Sequence, residues 1–130
     1  MIVVDASAMV ELLLDTDLGR RVDERVLTAE TRHAPHLLDT EVAQVLRRFV
    51  LAKQVTVDRA LEAIEDLRAF PINRHAHTSL LNRVFELRAN LTAYDATYLA
   101  LAEALGATLV TCDDGLARTP GRRAAVECLV

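Results

Sequence analysis

The sequence predicts an α/β domain built on a parallel sheet with helices on both faces. Two observations predict it. Short, β-branched apolar runs alternate with longer stretches of helical spacing, the pattern of strand–helix–strand crossovers. No repeat, linker or low-complexity tract interrupts that alternation over 130 residues. A chain of this length forms one domain, residues 1–130, and buries roughly two thirds of its unfolded surface.

Ile2-Val3-Val4 is too short and too β-branched for a helix and stops at Asp5, so it reads as the first strand. Helical spacing follows at Met9, Leu12 and Leu13, and Leu18, Val22 and Val26 recur at four-residue intervals on a second helix. His33-Ala34-Pro35 reads as a strand end, because the residue before proline favours extended geometry. Leu38, Val42, Val45, Leu46 and Phe49 share one face of a helix over 37–52. Thr56 is placed to N-cap a helix carrying Val57, Leu61, Ile64 and Leu67. Phe70-Pro71-Ile72 is the candidate third strand, and Pro71 confines it to a sheet edge. A helix through Leu80, Leu81, Val84 and Leu87 comes next, then one over 93–105 closed by Gly106. Residues 107–111 form the fourth strand, followed by a short helix after Asp113, a turn at Pro120-Gly121 and a last strand over 126–130.

Composition narrows the class. Hydrophobic residues make up 52% and aromatics 4%, with no Trp, so the core is expected to be aliphatic. Cys112 and Cys128 form no CxxC motif and are expected as buried free thiols. No stretch approaches the ~18 apolar residues of a membrane span, and Asp5 interrupts the only apolar start. A soluble, cytoplasmic protein is expected. The formal net charge of −4 argues against a plain nucleic-acid-binding module.

Four of the 19 acids stand out, and without them the remaining acids equal the 15 bases in number. Asp5 and Asp113 directly follow the first and fourth strands, and ligands of open parallel sheets bind at the C-terminal strand ends. Glu41 lines up with Leu37, Leu38 and Val45 on an apolar helix face, and Asp95 with Tyr98 and Leu99. An ionised carboxylate on a buried stripe costs several kcal/mol unless a cation meets it, and no Lys or Arg stands at a matching position. One divalent cation resolves the cost for all four. Taken singly, each has a plainer reading: Asp5 and Asp113 as helix caps, Thr92-Ala93-Tyr94-Asp95 as a capping box, Glu41 at the wet rim of its stripe. Those readings give no reason for the four to surround one crevice.

Asp5-Ala-Ser, Leu37-Leu-Asp-Thr-Glu41-Val, Leu91-Thr-Ala-Tyr-Asp95-Ala-Thr-Tyr-Leu-Ala-Leu-Ala and Leu109-Val-Thr-Cys-Asp113 together resemble the PIN-domain family. Within it they resemble the VapC-type ribonuclease toxins of bacterial toxin–antitoxin pairs. The resemblance implies the strand order 3-2-1-4-5, Mg²⁺- or Mn²⁺-dependent cleavage of RNA, a homodimer and a cognate antitoxin. It maps the family's acidic cluster onto Asp5, Glu41, Asp95 and Asp113, with Ser7 and Thr111 as supporting hydroxyls. Gln44 stands where related toxins often carry Asn, and the doubled Asp113-Asp114 offers two ligands for one place; strand-end geometry favours Asp113.

An all-oxygen donor set suits Mg²⁺ and does not suit structural zinc. Asp5 and Asp95 are expected to bind the principal ion, with Asp113 and Glu41 completing its shell or holding its waters. Water is then the nucleophile, leaving a 5′-phosphate and a 3′-hydroxyl. The candidate phosphate contacts are Arg47, Arg48, Arg118, Arg122 and Arg123. Tyr94 or Tyr98 is placed to stack on a base, with core packing the alternative for Tyr98. His33, His36, His75 and His77 belong to no nucleophile or base pattern and are expected at the surface or in loops. Phosphoaspartate proteins are disfavoured: Ala6-Ser7 replaces the second acid of an Asp-x-Asp, and Lys53, the only lysine, does not follow a late strand. A catalytically silent binding partner of the same fold is the remaining alternative.

Overall fold

The computed structural model describes every residue, Met1–Val130. In chain order the elements are β1 (Ile2–Val4), α1 (Ala6–Leu13), α2 (Asp17–Leu27), β2 (Arg32–Pro35), α3 (Leu37–Leu51) and α4 (Val57–Ala69). There follow β3 (Asn73–His75), a 3-10 turn (Thr78–Leu80), α5 (Leu81–Glu86), α6 (Ala93–Leu105), β4 (Thr108–Thr111), α7 (Asp114–Ala117) and β5 (Val126–Cys128). The five strands form one sheet in the order β3-β2-β1-β4-β5, every neighbouring pair parallel.

β1 is central because it is apolar throughout. Ile2, Val3 and Val4 are all buried, and Val3 pairs with His33 on one side and Leu109 on the other. One group of helices, α1 to α4, packs together along α1–α2, α1–α3 and α3–α4. The second group joins α5 to α6, and α6 lies against β1, β2 and β4. Residues 96–102 of α6 are buried on every side, as expected of a helix held between a sheet and another helix. The core contains 29 buried hydrophobic residues and is aliphatic apart from Tyr98 and Met9. No helix is long and apolar enough to cross a membrane.

Local chemistry sets the helix ends. Thr16, Thr56 and Thr92 accept the backbone N–H of Gly19, Arg59 and Asp95 respectively, each satisfying a first-turn amide. Gly106 ends α6 at φ 64, a left-handed conformation open to glycine without penalty, and its N–H reaches the Ala102 carbonyl.

The third strand is displaced from its expected place. Phe70-Pro71-Ile72 is not in the ladder; the strand is Asn73-Arg74-His75, paired with His33, Ala34 and Pro35. Pro71 has no N–H to give, and the Ile72 amide turns back to the Phe70 carbonyl, so pairing begins one residue later. A polar clamp replaces apolar alternation there: the Arg74 guanidinium grips both Asp39 oxygens at 2.8–3.0 Å and the Leu67 carbonyl at 3.1 Å. The edge position itself is as expected.

The histidines also depart from expectation. His33 and His75 are strand residues, joined Nδ1 to Nε2 at 2.8 Å, and His33 is buried with Nε2 at 2.9 Å from Thr31 Oγ1. His33 lies on the strand expected at 33–35 and departs only in being buried, whereas Asn73-Arg74-His75 is a short polar strand with no periodic signal, so that His75 reads as a loop residue from sequence. Cys112 and Cys128 are free, as expected, but only half-buried.

Candidate active site

β1 delivers Asp5 to the C-terminal edge of the sheet, where it caps α1. Its Oδ1 accepts the Ala8 N–H at 3.0 Å and the Ser7 hydroxyl at 2.7 Å, while Oδ2 accepts the Thr111 hydroxyl from the end of β4. Asp5 is 4% exposed. Burial pushes its carboxyl above the usual range, the bonds from Thr111, Ala8 and Ser7 pull it back, and the charge of Asp113 adds to the rise. Ser7 Oγ also accepts the Cys112 N–H at 3.0 Å, and Thr111 Oγ1 accepts the Asp113 N–H at 2.9 Å. The two hydroxyls thereby stitch the ends of β1 and β4 around the carboxylate.

Asp113 caps α7, accepting the Gly115 N–H at 2.9 Å. Its neighbour Asp114 is turned to Arg118 at 3.3 Å on the exposed surface. Asp113, and not Asp114, is the acid whose charge bears on both Asp5 and Asp95.

Asp95 lies in the first turn of α6. Its N–H reaches the Thr92 hydroxyl at 3.2 Å, and no return bond ties its carboxylate to the Thr92 amide, so the side chain is free to face the other acids. Burial first, then Asp113, Asp5 and Glu41, pushes its carboxyl up to about 6. Glu41 stands on the second turn of α3 with Oε1 buried and without a hydrogen-bond partner. The Tyr98 hydroxyl, one turn along α6 from Asp95, is likewise buried and unpartnered, and Glu41 is its principal polar neighbour. From sequence, Tyr98 is a base-stacking or core residue and nothing more. A hydroxyl three residues after an acid, within an Ala/Leu-rich helix, was the available signal for this pairing.

The structure therefore brings the four predicted acids into one electrostatic group. The capping readings also hold for Asp5 and Asp113, since a helix N-terminus and a cation site both favour carboxylate there. The residues fit a hard divalent cation on three counts: an all-oxygen donor set, an orphaned buried carboxylate oxygen, and carboxyls raised first by burial and then by one another's charge, with no cation side chain among them. No three of these side chains converge in metal-gripping geometry. Mg²⁺ does not need three, because it keeps several waters and takes one or two carboxylates directly.

The predicted phosphate contacts divide. Arg47 and Arg48 are exposed on α3 and make no ion pair. Arg118 is paired with Asp114, and the Arg122 guanidinium is occupied by the Ala117 and Ala124 carbonyls. Tyr94 is 61% exposed beside Asp95, and Tyr98 is 1% exposed.

The family model of the PIN domain matches residues 2–122. The chain is 42% identical over 119 residues to the VapC ribonuclease Mb0985 of Mycobacterium bovis, covering 92% of this chain and 91% of the relative. It is 39% identical over 127 residues to ribonuclease VapC12 of Mycobacterium tuberculosis, covering 98% of both. Among solved structures, VapBC2 from Rickettsia felis, bound to a DNA fragment from their promoter, superposes with a TM-score of 0.72 over 100% of both chains at 16% identity.

Proposed function

Because this chain belongs to the PIN-domain family, we propose that it is an endoribonuclease of the VapC kind, the toxin of a toxin–antitoxin pair. Its catalytic group is Asp5, Glu41, Asp95 and Asp113, acting with Mg²⁺ or Mn²⁺. The observation that carries the reading is Asp95, whose carboxyl is raised to about 6 by burial and by three acids from three other segments of the chain. Such a cluster is costly for the fold alone and useful to a cation. The ribonuclease relatives above support RNA as the substrate.

Each residue has a separable task. Asp5, locked by Thr111, Ser7 and Ala8, presents a carboxylate whose orientation is fixed before anything binds. Asp95 and Asp5 would hold the ion directly; Glu41 and Asp113 would complete its shell or hold its waters. A divalent ion there supplies positive charge against the phosphate and lowers the pKa of water. Hydrolysis by water leaves a 5′-phosphate and a 3′-hydroxyl. A 2′,3′-cyclic phosphate product would sink this mechanism. The partners are a cognate antitoxin and a second copy of the chain; light scattering on the purified toxin reads the dimer, with a monomer refuting it.

The test is incubation of the purified protein, free of copurifying partners, with a mixed RNA pool in Mg²⁺ or Mn²⁺. EDTA and the Asp5→Asn/Asp95→Asn variant serve as controls. Metal-dependent fragments that fall by about a hundredfold or more in the variant are expected, since even residues that only orient a metal ligand are worth 10–100-fold. Cleavage that survives both controls overturns the assignment of the four acids.

A further inference from the structure

Of the polar side-chain atoms left buried and unpaired, two lie at the acidic cluster: Glu41 Oε1 on α3 and Tyr98 Oη on α6. They are complementary, an acceptor and a neutral donor. Tyr98 is 1% exposed, within the stretch of α6 that is buried on all sides. Phenylalanine would fill the same space without stranding a hydroxyl, so packing alone gives no account of the oxygen. Burial raises the phenol well above its ordinary range, with Glu41 the next cause and Asp5 and Asp95 adding to it. The group therefore stays protonated and able to donate.

Resting on the metallonuclease reading above, we propose that Tyr98 is a positioning residue whose hydroxyl donates to the Glu41 carboxylate and holds it toward the cation of the acidic site. Glutamate has three rotatable bonds, and Oε1 of Glu41 has no other partner to select one conformation. Tyr98 is fixed by close packing on every side, so its hydroxyl is a stationary point from which to select it. Asp95 and Tyr98 lie on one face of α6, at i and i+3. The same rigid helix thus carries one ligand and the group that aims a second one from α3. Thr111 and Ser7 do the equivalent for Asp5. Each of these two carboxylates then has a hydroxyl that orients it.

The experiment compares wild type, Tyr98→Phe, Glu41→Gln and the double variant in thermal melts with EDTA or graded Mn²⁺, and in RNA cleavage under saturating substrate. Tyr98→Phe is expected to melt at the wild-type temperature or slightly above in EDTA, because in the cation-free fold neither the Tyr98 hydroxyl nor Glu41 Oε1 has a hydrogen bond to lose. Its Mn²⁺ midpoint should rise, and its kcat fall, by about 10–100-fold with KM unchanged. In the Glu41→Gln background the same change should add nothing, because its partner is already altered. An unaltered Mn²⁺ response and kcat would overturn the proposal. So would a lowered melting temperature in EDTA, which would mark the hydroxyl as a structural donor, or additive effects in the double variant. Failure of the wild type itself to respond to Mn²⁺ or to cleave would instead defeat the metallonuclease reading.

Discussion

Asp95 sets the pH response of the cation-free protein. Its carboxyl stands at about 6 in the fold against an ordinary 3.8, so the folded chain binds that proton more tightly than the unfolded chain. The stability it contributes is present at low pH and is lost as pH rises through about 6; Asp5, also raised, acts in the same direction. His33 acts in the opposite sense. Burial first, then His75, depresses its proton affinity below the ordinary 6.5, so its contribution is lost as pH falls below that value. Asp95→Asn separates the two. In EDTA above pH 6 it should raise the melting temperature by a few degrees, leaving the His33 limb intact, and it should blunt the stabilisation by Mg²⁺. A variant that melts lower than wild type at pH 7.5 in EDTA would show that the ionised carboxylate has a protein partner and needs no cation. Thr111→Val probes the neighbouring acid. It removes the donor to Asp5 Oδ2 at a fully buried position, and an expected loss of about 1–3 kcal/mol is read by urea unfolding. A neutral result would mean that Ser7 and Ala8 alone satisfy Asp5.

At the level of elements, the close seating of α2 on the end of α1 depends on a missing side chain. A Cβ on Gly19 would lie 1.9 Å from the Glu11 carbonyl oxygen, which is backbone and has no room to yield. Gly19→Ala should therefore cost about 1–3 kcal/mol by overpacking, whereas Gly106→Ala, at φ 64 with open space around it, should cost only about 1 kcal/mol. Equal midpoints for the two variants in denaturant would contradict the close approach. These two glycines also divide what was legible in sequence. Gly106 closes a helix with a strong local signal, and its helix matches the expected span. Gly19 answers to a contact across two helices, which no local pattern reports. The same division runs through the sheet: β1 and β4, apolar and ending at acids, were readable. β3 was not, because an ion-pair clamp and a histidine pair hold it where hydrophobic alternation would usually be sought. At the site, the acids were visible as charges in the wrong places. The orphaned Tyr98 hydroxyl was not, because an aromatic residue on a buried face looks correct in sequence.

For the molecule as a whole, the formal net charge of −4 poses a difficulty for a protein proposed to cut a polyanion. Nine ion pairs occupy many of the arginines: Arg20, Arg25, Arg59, Arg68, Arg74, Arg83 and Arg118 all pair with acids. Arg47 and Arg48 are left exposed and unpaired on the helix that carries Glu41. If the scissile phosphate sits against the four acids, their charge opposes RNA until a cation arrives. Two unit charges 4 Å apart still interact by about 4 kcal/mol at the effective dielectric of a protein surface. Cation-free wild type should therefore bind a single-stranded RNA weakly. Asp5→Asn/Asp95→Asn, with two negative charges removed, should bind the same RNA several-fold more tightly in EDTA although it cannot cut it. Arg47→Ala/Arg48→Ala should weaken binding in either background and flatten its dependence on salt, by about one phosphate contact per arginine. Fluorescence anisotropy with a labelled oligonucleotide across a salt series measures all three. Tighter binding by the inactive variant would place the backbone at the acids without requiring any turnover. Equal affinities in EDTA would mean that RNA docks away from them, and the arginines of α3 would lose their assigned part.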